Sequence, residues 1–103
     1  PVPTPLPATD VPAAVETDPV GTARGTDAAD DPAIWRNPRD PAASLIVGTD
    51  KRAGLYVYGL DGRRRSFLAA GEVNNVDIRD NVLVNGRPSI VVAASNRDSL
   101  ANP

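Results

Sequence analysis

Apolar residues in this chain come in short runs separated by turn residues, with no window showing a convincing 3.6-residue period. Ser44-Leu45-Ile46-Val47-Gly48-Thr49 reads as a short buried strand rich in branched side chains, and Gly54-Leu55-Tyr56-Val57-Tyr58 as the next. Asp61-Gly62 is a hairpin signal, and Ser66-Phe67-Leu68-Ala69-Ala70 is the returning strand. Asn75-Val76-Asp77-Ile78-Arg79 alternates polar and apolar with period two. Val82-Leu83-Val84 and Ile90-Val91-Val92-Ala93-Ala94 flank Asn85-Gly86, a second hairpin candidate. Asn37-Pro38-Arg39-Asp40-Pro41 is a turn carrying two prolines. Turn signals at such short, even intervals predict an all-β fold of short antiparallel strands: a sandwich, a barrel or a propeller. The aromatic residues Trp35, Tyr56, Tyr58 and Phe67 are expected in the core.

Composition sets the boundaries of that fold. Residues 1–24 hold six of the eleven prolines, a composition that favours extended chain, so 1–24 is expected to be a linker or leader remnant and 25–103 the folded portion. Glu16 and Asp18, near its end, are candidates to join the folded part. The chain opens on Pro1 and closes on Asn102-Pro103 without a terminating element, and is expected to be a segment of a longer protein. Residues 1–50 carry eight acids and three bases, residues 51–103 five acids and eight bases. An acidic half facing a basic half suits a site needing metal ligands and anion contacts together, and also suits plain internal charge complementarity.

With neither cysteine nor histidine, disulfides, thiolate metal sites and imidazole-based triads are excluded within these residues, and zinc is disfavoured. Catalysis would have to use carboxylates, Lys, Arg, Tyr or a metal. No run of about 18 apolar residues is present, so no membrane-spanning helix is expected. The triplet Arg63-Arg64-Arg65 follows a hairpin turn without an aromatic platform and reads as a solvated edge, so no nucleic-acid partner is expected.

The chemistry-bearing stretch is Thr26-Asp27-Ala28-Ala29-Asp30-Asp31-Pro32-Ala33-Ile34-Trp35. Adjacent carboxylates repel unless a cation or hydrogen-bond donors stand between them. Calcium, which takes carboxylate and carbonyl oxygens, is one solution; a solvated acidic loop of Asx turns is the other. Pro32 fixes its own φ and biases Asp31 toward extended geometry, so the stretch is expected to be a rigid acidic turn entering a strand at Trp35.

Four stretches in order, Asp27–Trp35, Gly48–Tyr58, Asn74-Asn75-Val76-Asp77-Ile78-Arg79 and Ala93-Ala94-Ser95-Asn96-Arg97, resemble the N-terminal part of the β-propeller phytases. The resemblance spans about residues 14–97. It implies the first part of a six-bladed propeller, under two blades at roughly 40–45 residues each. It further implies calcium-dependent hydrolysis of the phosphomonoesters of phytate (inositol hexakisphosphate) by the full-length protein, as a secreted or periplasmic monomer.

Carried over residue by residue, the resemblance makes Asp30 a ligand of active-site calcium. It makes Asp31 and the carbonyls of Pro32 and Val76 ligands of a tighter structural calcium. Lys51, the one lysine beside ten arginines, Arg97 and Arg52 become substrate phosphate contacts. The expected roles are metal ligation for Asp30, and holding phosphate and stabilising transition-state charge for Lys51 and Arg97. Asn75 and Asp77 are expected to orient their loop by side-chain to backbone hydrogen bonds. Asp50 departs from members carrying asparagine before the lysine, adding a negative charge near the phosphate contacts. Since the remaining ligands lie in later blades, the segment alone is expected to be inactive. The rival reading is a non-catalytic calcium-binding propeller or sandwich module that recognises anionic ligands or a protein partner.

Overall fold

The computed structural model describes residues 2–21, 27–98 and 101. Parts of the proline-rich segment (1 and 22–24), Thr26 at the head of the acidic stretch, and Asn102-Pro103 lie outside them. Six strands form in chain order: β1 (Ala29–Trp35), β2 (Leu45–Asp50), β3 (Gly54–Gly59), β4 (Arg64–Ala69), β5 (Val73–Val84) and β6 (Arg87–Asn96), with a 3-10 turn at Pro41–Ala43. The all-β expectation holds, and no α-helix occurs among the described residues. β1 to β4 make a four-stranded antiparallel sheet in sequence order, and β5 with β6 a separate two-stranded one.

Turn chemistry sets these boundaries. Asn37 Oδ1 accepts from the Arg39 and Asp40 amides (3.0 and 3.1 Å), and Asp40 Oδ1 from Ala42 (3.2 Å), so the double-proline turn is held by its own side chains. The Asp61-Gly62 turn joins β3 to β4, with Gly62 at a φ of 79°. At Asn85-Gly86 both residues have positive φ (50° and 75°), as a two-residue turn matching the strands' twist requires.

Three expectations need correcting. The acidic stretch is not a turn before the strand: Asp30, Asp31 and Pro32 lie within β1, whose pairing with β2 is irregular between Ala29 and Pro32. β1 ends the sheet order, and an edge strand tolerates a residue without an amide donor. Secondly, the two short strands expected at 75–79 and 82–84 are one twelve-residue strand, β5. Its register slips between Arg79 and Val82, where Asn81 sits at a φ of 55°, a bulge that lets one strand carry both apolar patterns. Thirdly, Phe67 remains 43% exposed, because β4 is an edge strand with every residue exposed. Trp35 is half-buried, and its indole Nε1 donates to Asp80 Oδ2 at 3.0 Å.

The core lies between the two sheets. Val47, Leu55, Val73 and Val76 are buried together, with Ala33, Val57, Ala70, Ile78 and Ala94 packed around them. Alternation explains the set: Ala33, Val47 and Val57 stand opposite one another across β1, β2 and β3 and face β5. Each fully buried Val or Leu side chain contributes about 1.5–3 kcal/mol. The other face carries Tyr56 and Tyr58, their rings 6.1 Å apart, with Phe67 tilted against Tyr56 at 4.7 Å. The N-terminal segment joins this body, as Asp18 N donates to Gly62 O (2.7 Å) and Asp18 Oδ2 accepts from Arg64 N (2.9 Å). The basic triplet is exposed as expected; Arg65 pairs with Asp61, and the Arg64 guanidinium lies 5.5 Å from the Tyr56 ring centre.

Candidate functional site

Asp31 joins the two sheets. Its carboxylate Oδ2 accepts from the Val76 amide of β5 at 2.9 Å. Its own amide donates to Thr49 Oγ1 at 2.8 Å, and that hydroxyl donates back to the Asp31 carbonyl at 3.2 Å. Thr49 is almost fully buried, so Asp31 is clamped on its backbone by β2 and on its side chain by β5. The Val76 amide is directed at the Asp31 side chain of β1. Asp31 and Val76, matched to one metal site on resemblance, are therefore brought together.

Asp30 is exposed, and its carboxylate has no hydrogen-bond or ion-pair partner among the described residues. With Asp31, Pro32, Tyr58, Thr17 and Val20 it lines an open pocket of about 190 Å³. Calcium takes six to eight oxygens. For each of the two ions implied, one carboxylate and nearby strand carbonyls are donors of the right kind, but no cluster of three or more acidic, His or Cys side chains suited to a metal occurs among the described residues. The donors present fit part of a calcium shell.

A second cluster lies in a cleft of about 320 Å³ lined by Asp27, Lys51, Arg52, Glu72 and Arg97. The β1–β2 register sets Ala29 opposite Asp50, which brings residues 27 and 28 beside the turn at 51. Lys51 N donates to Ala28 O (2.8 Å), and Arg52 Nε to Asp27 O (3.2 Å). Lys51 Nζ donates to Asp27 Oδ2 at 2.6 Å, and this contact holds the Asp27 carboxyl below its ordinary value. Arg97 arrives from the end of β6: its amide donates to Glu72 O (2.9 Å) and its Nη2 to Lys51 O (3.3 Å). Arg97 forms no ion pair with a carboxylate among the described residues, so the simple surface salt bridge is not what places it. The three cations named as phosphate contacts thus share one cleft.

Asp50 does not project into that cleft. It is 3% exposed, and its Oδ1 accepts from Arg52 N at 2.9 Å, shaping the β2–β3 turn that presents Lys51 and Arg52. Asp77 does bond backbone as expected, accepting from Ile78 N, and also pairs with Arg79. For Asn75 it is the backbone amide that acts, donating to Ser95 Oγ at 3.3 Å. Sequence reasoning gave no role to Asp27, Glu72 or Thr49. Their partners lie far along the chain, and only strand register brings them together.

The Phytase family model matches residues 5–103, beginning inside the proline-rich segment that the sequence resemblance left out. A 3-phytase of Bacillus subtilis (strain 168) is 47% identical over 92 residues, covering 89% of this chain and 24% of that protein. The chain therefore spans about a quarter of the length of this relative.

Proposed function

This chain belongs to the phytase family, and on that footing we propose that it forms the start of a six-bladed propeller that hydrolyses phosphomonoesters of phytate. On this reading β1 to β4 are one blade, and β5 with β6 begin the next. The observation that carries the proposal is the meeting of Lys51, Arg52 and Arg97 in one cleft, close in sequence and register to the carboxylates of β1.

The chemistry follows from those groups. Phytate is densely anionic, and a phosphomonoester becomes more so in its transition state. Arg97 offers a planar fork that grips two phosphoryl oxygens, and Lys51 a compact point charge. The backbone of Lys51 and the guanidinium of Arg97 are fixed by hydrogen bonds before substrate arrives, which places the two cations beside each other. Asp30 would serve as a metal ligand rather than a nucleophile, and Asp31 with the carbonyls of Pro32 and Val76 would hold a second, structural ion. Calcium, when bound, would offset the repulsion between carboxylates and phosphates and polarise the phosphoryl group.

Substitution in the intact protein tests this. Asp30→Ala and Lys51→Met are each expected to lower phytate turnover by at least about tenfold while leaving the fold intact, since Asp30 is an exposed side chain on a paired strand and Lys51 sits on a turn fixed by backbone bonds. Full calcium-dependent hydrolysis by Asp30→Ala would sink the assignment. Calcium and phosphate binding without phosphate release would favour the non-catalytic module instead.

A further inference from the structure

The ammonium of Lys51 is already occupied. It holds Asp27 Oδ2 at 2.6 Å, the shortest polar contact in the cleft, with side-chain exposures of 26% for Lys51 and 79% for Asp27. The backbone of Lys51 does not depend on this pair: Ala28 O takes its amide, Arg97 reaches its carbonyl, and Asp50 fixes the turn through Arg52. What the pair decides is the occupant of the ammonium. A carboxylate presents to it the same anionic oxygens that a phosphoryl group would. Asp27 is charged at neutral pH, as an ordinary carboxylate is, and repels a phosphate approaching the same donor. Exposed ion pairs are weakly held, so exchange is feasible.

We propose that Asp27 is a counter-ion displaced by substrate: its carboxylate stands on Lys51 where a substrate phosphoryl oxygen will sit, and leaves when phosphate enters. The inference rests on the cleft being a phosphate site, and it adds a selectivity. A lone phosphate must outcompete Asp27 using Lys51. A substrate with several phosphates recruits Arg52 and Arg97 in the same event, so densely phosphorylated ligands displace Asp27 more readily than simple monoesters.

The test compares wild type, Asp27→Asn, Asp27→Ser, Lys51→Met and Asp27→Asn/Lys51→Met in the intact protein. Inorganic phosphate binding is followed by calorimetry, and turnover with p-nitrophenyl phosphate and phytate. Both Asp27 variants are expected to bind inorganic phosphate about two- to fivefold more tightly. KM for the simple monoester should fall by a similar factor with kcat retained, the gain for phytate being smaller. The double variant should bind no more tightly than Lys51→Met. Unchanged or weaker phosphate binding by both Asp27 variants, or a higher KM with a lower kcat, overturns the proposal in favour of Asp27 positioning the lysine. Tighter phosphate binding without release from phytate would leave the displaced counter-ion standing and remove the phosphatase reading alone.

Discussion

Replacing Asp31 separates the joint between the sheets from any metal chemistry. The Asp31 carboxylate accepts from Val76 N at 2.9 Å, and Val76 is buried in the core shared by both sheets. A hydrogen bond to a charged group is worth about 1.5–3 kcal/mol, and a buried donor left without a partner costs about 1–3 kcal/mol. These are two views of one loss, so Asp31→Ala is expected to destabilise the intact protein by about 2–3 kcal/mol. Asp31→Asn keeps an acceptor oxygen and loses only the charge, which sets its cost at about 1 kcal/mol. Thr49 still binds the Asp31 backbone in both variants, so β1 keeps its place on β2. Urea unfolding in excess chelator measures the joint alone. Repeating it with calcium should widen the gap, since the same carboxylate is proposed as a ligand. Equal losses for Asn and Ala, or unchanged midpoints for both in chelator, would refute the reasoning.

Other expectations follow from single features. Tyr58 is 2% exposed and its hydroxyl has no partner among the described residues, while burial pushes its pKa up; Tyr58→Phe should be neutral or stabilising by up to about 1 kcal/mol in thermal unfolding. Gly54 sits at a φ of 150° with the Leu68 carbonyl where a Cβ would go, so Gly54→Ala should cost at least about 2 kcal/mol by denaturant titration. The folded pKa of Asp27 is depressed, so its pairing with Lys51 contributes above the ordinary carboxylate pKa of 3.8 and is lost as pH falls through the lower folded value. Carboxyl NMR titration should therefore place the Asp27 midpoint below 3.8, and Lys51→Met should return it toward that value.

Local chemistry made much of the fold legible. Asn85-Gly86 and Asp61-Gly62 announce their hairpins because few residues accept the φ values those turns need. The run from Leu45 to Thr49 reads as a strand from its branched residues, and it is one, with Val47 and Thr49 buried and Leu45, Ile46 and Gly48 half-buried. Pro32 beside two acids hid a strand, since the rule against proline in sheets relaxes at an edge, and β1 is one. Phe67 looked like core because apolar character says nothing about which strand ends a sheet. Motif order singled out the three cations that share a cleft and the two adjacent carboxylates of β1. The Lys51–Asp27 and Trp35–Asp80 contacts were not, because they join residues 24 and 45 positions apart through register.

The most direct measurement is phosphate release from phytate by the intact protein, assayed with calcium and again after chelation and dialysis. Release is expected with calcium, with loss in chelator and recovery on adding calcium back. Release that persists undiminished in chelator would contradict the place given to Asp30. No release under any condition would contradict the phosphatase reading of the cleft at Lys51, Arg52 and Arg97.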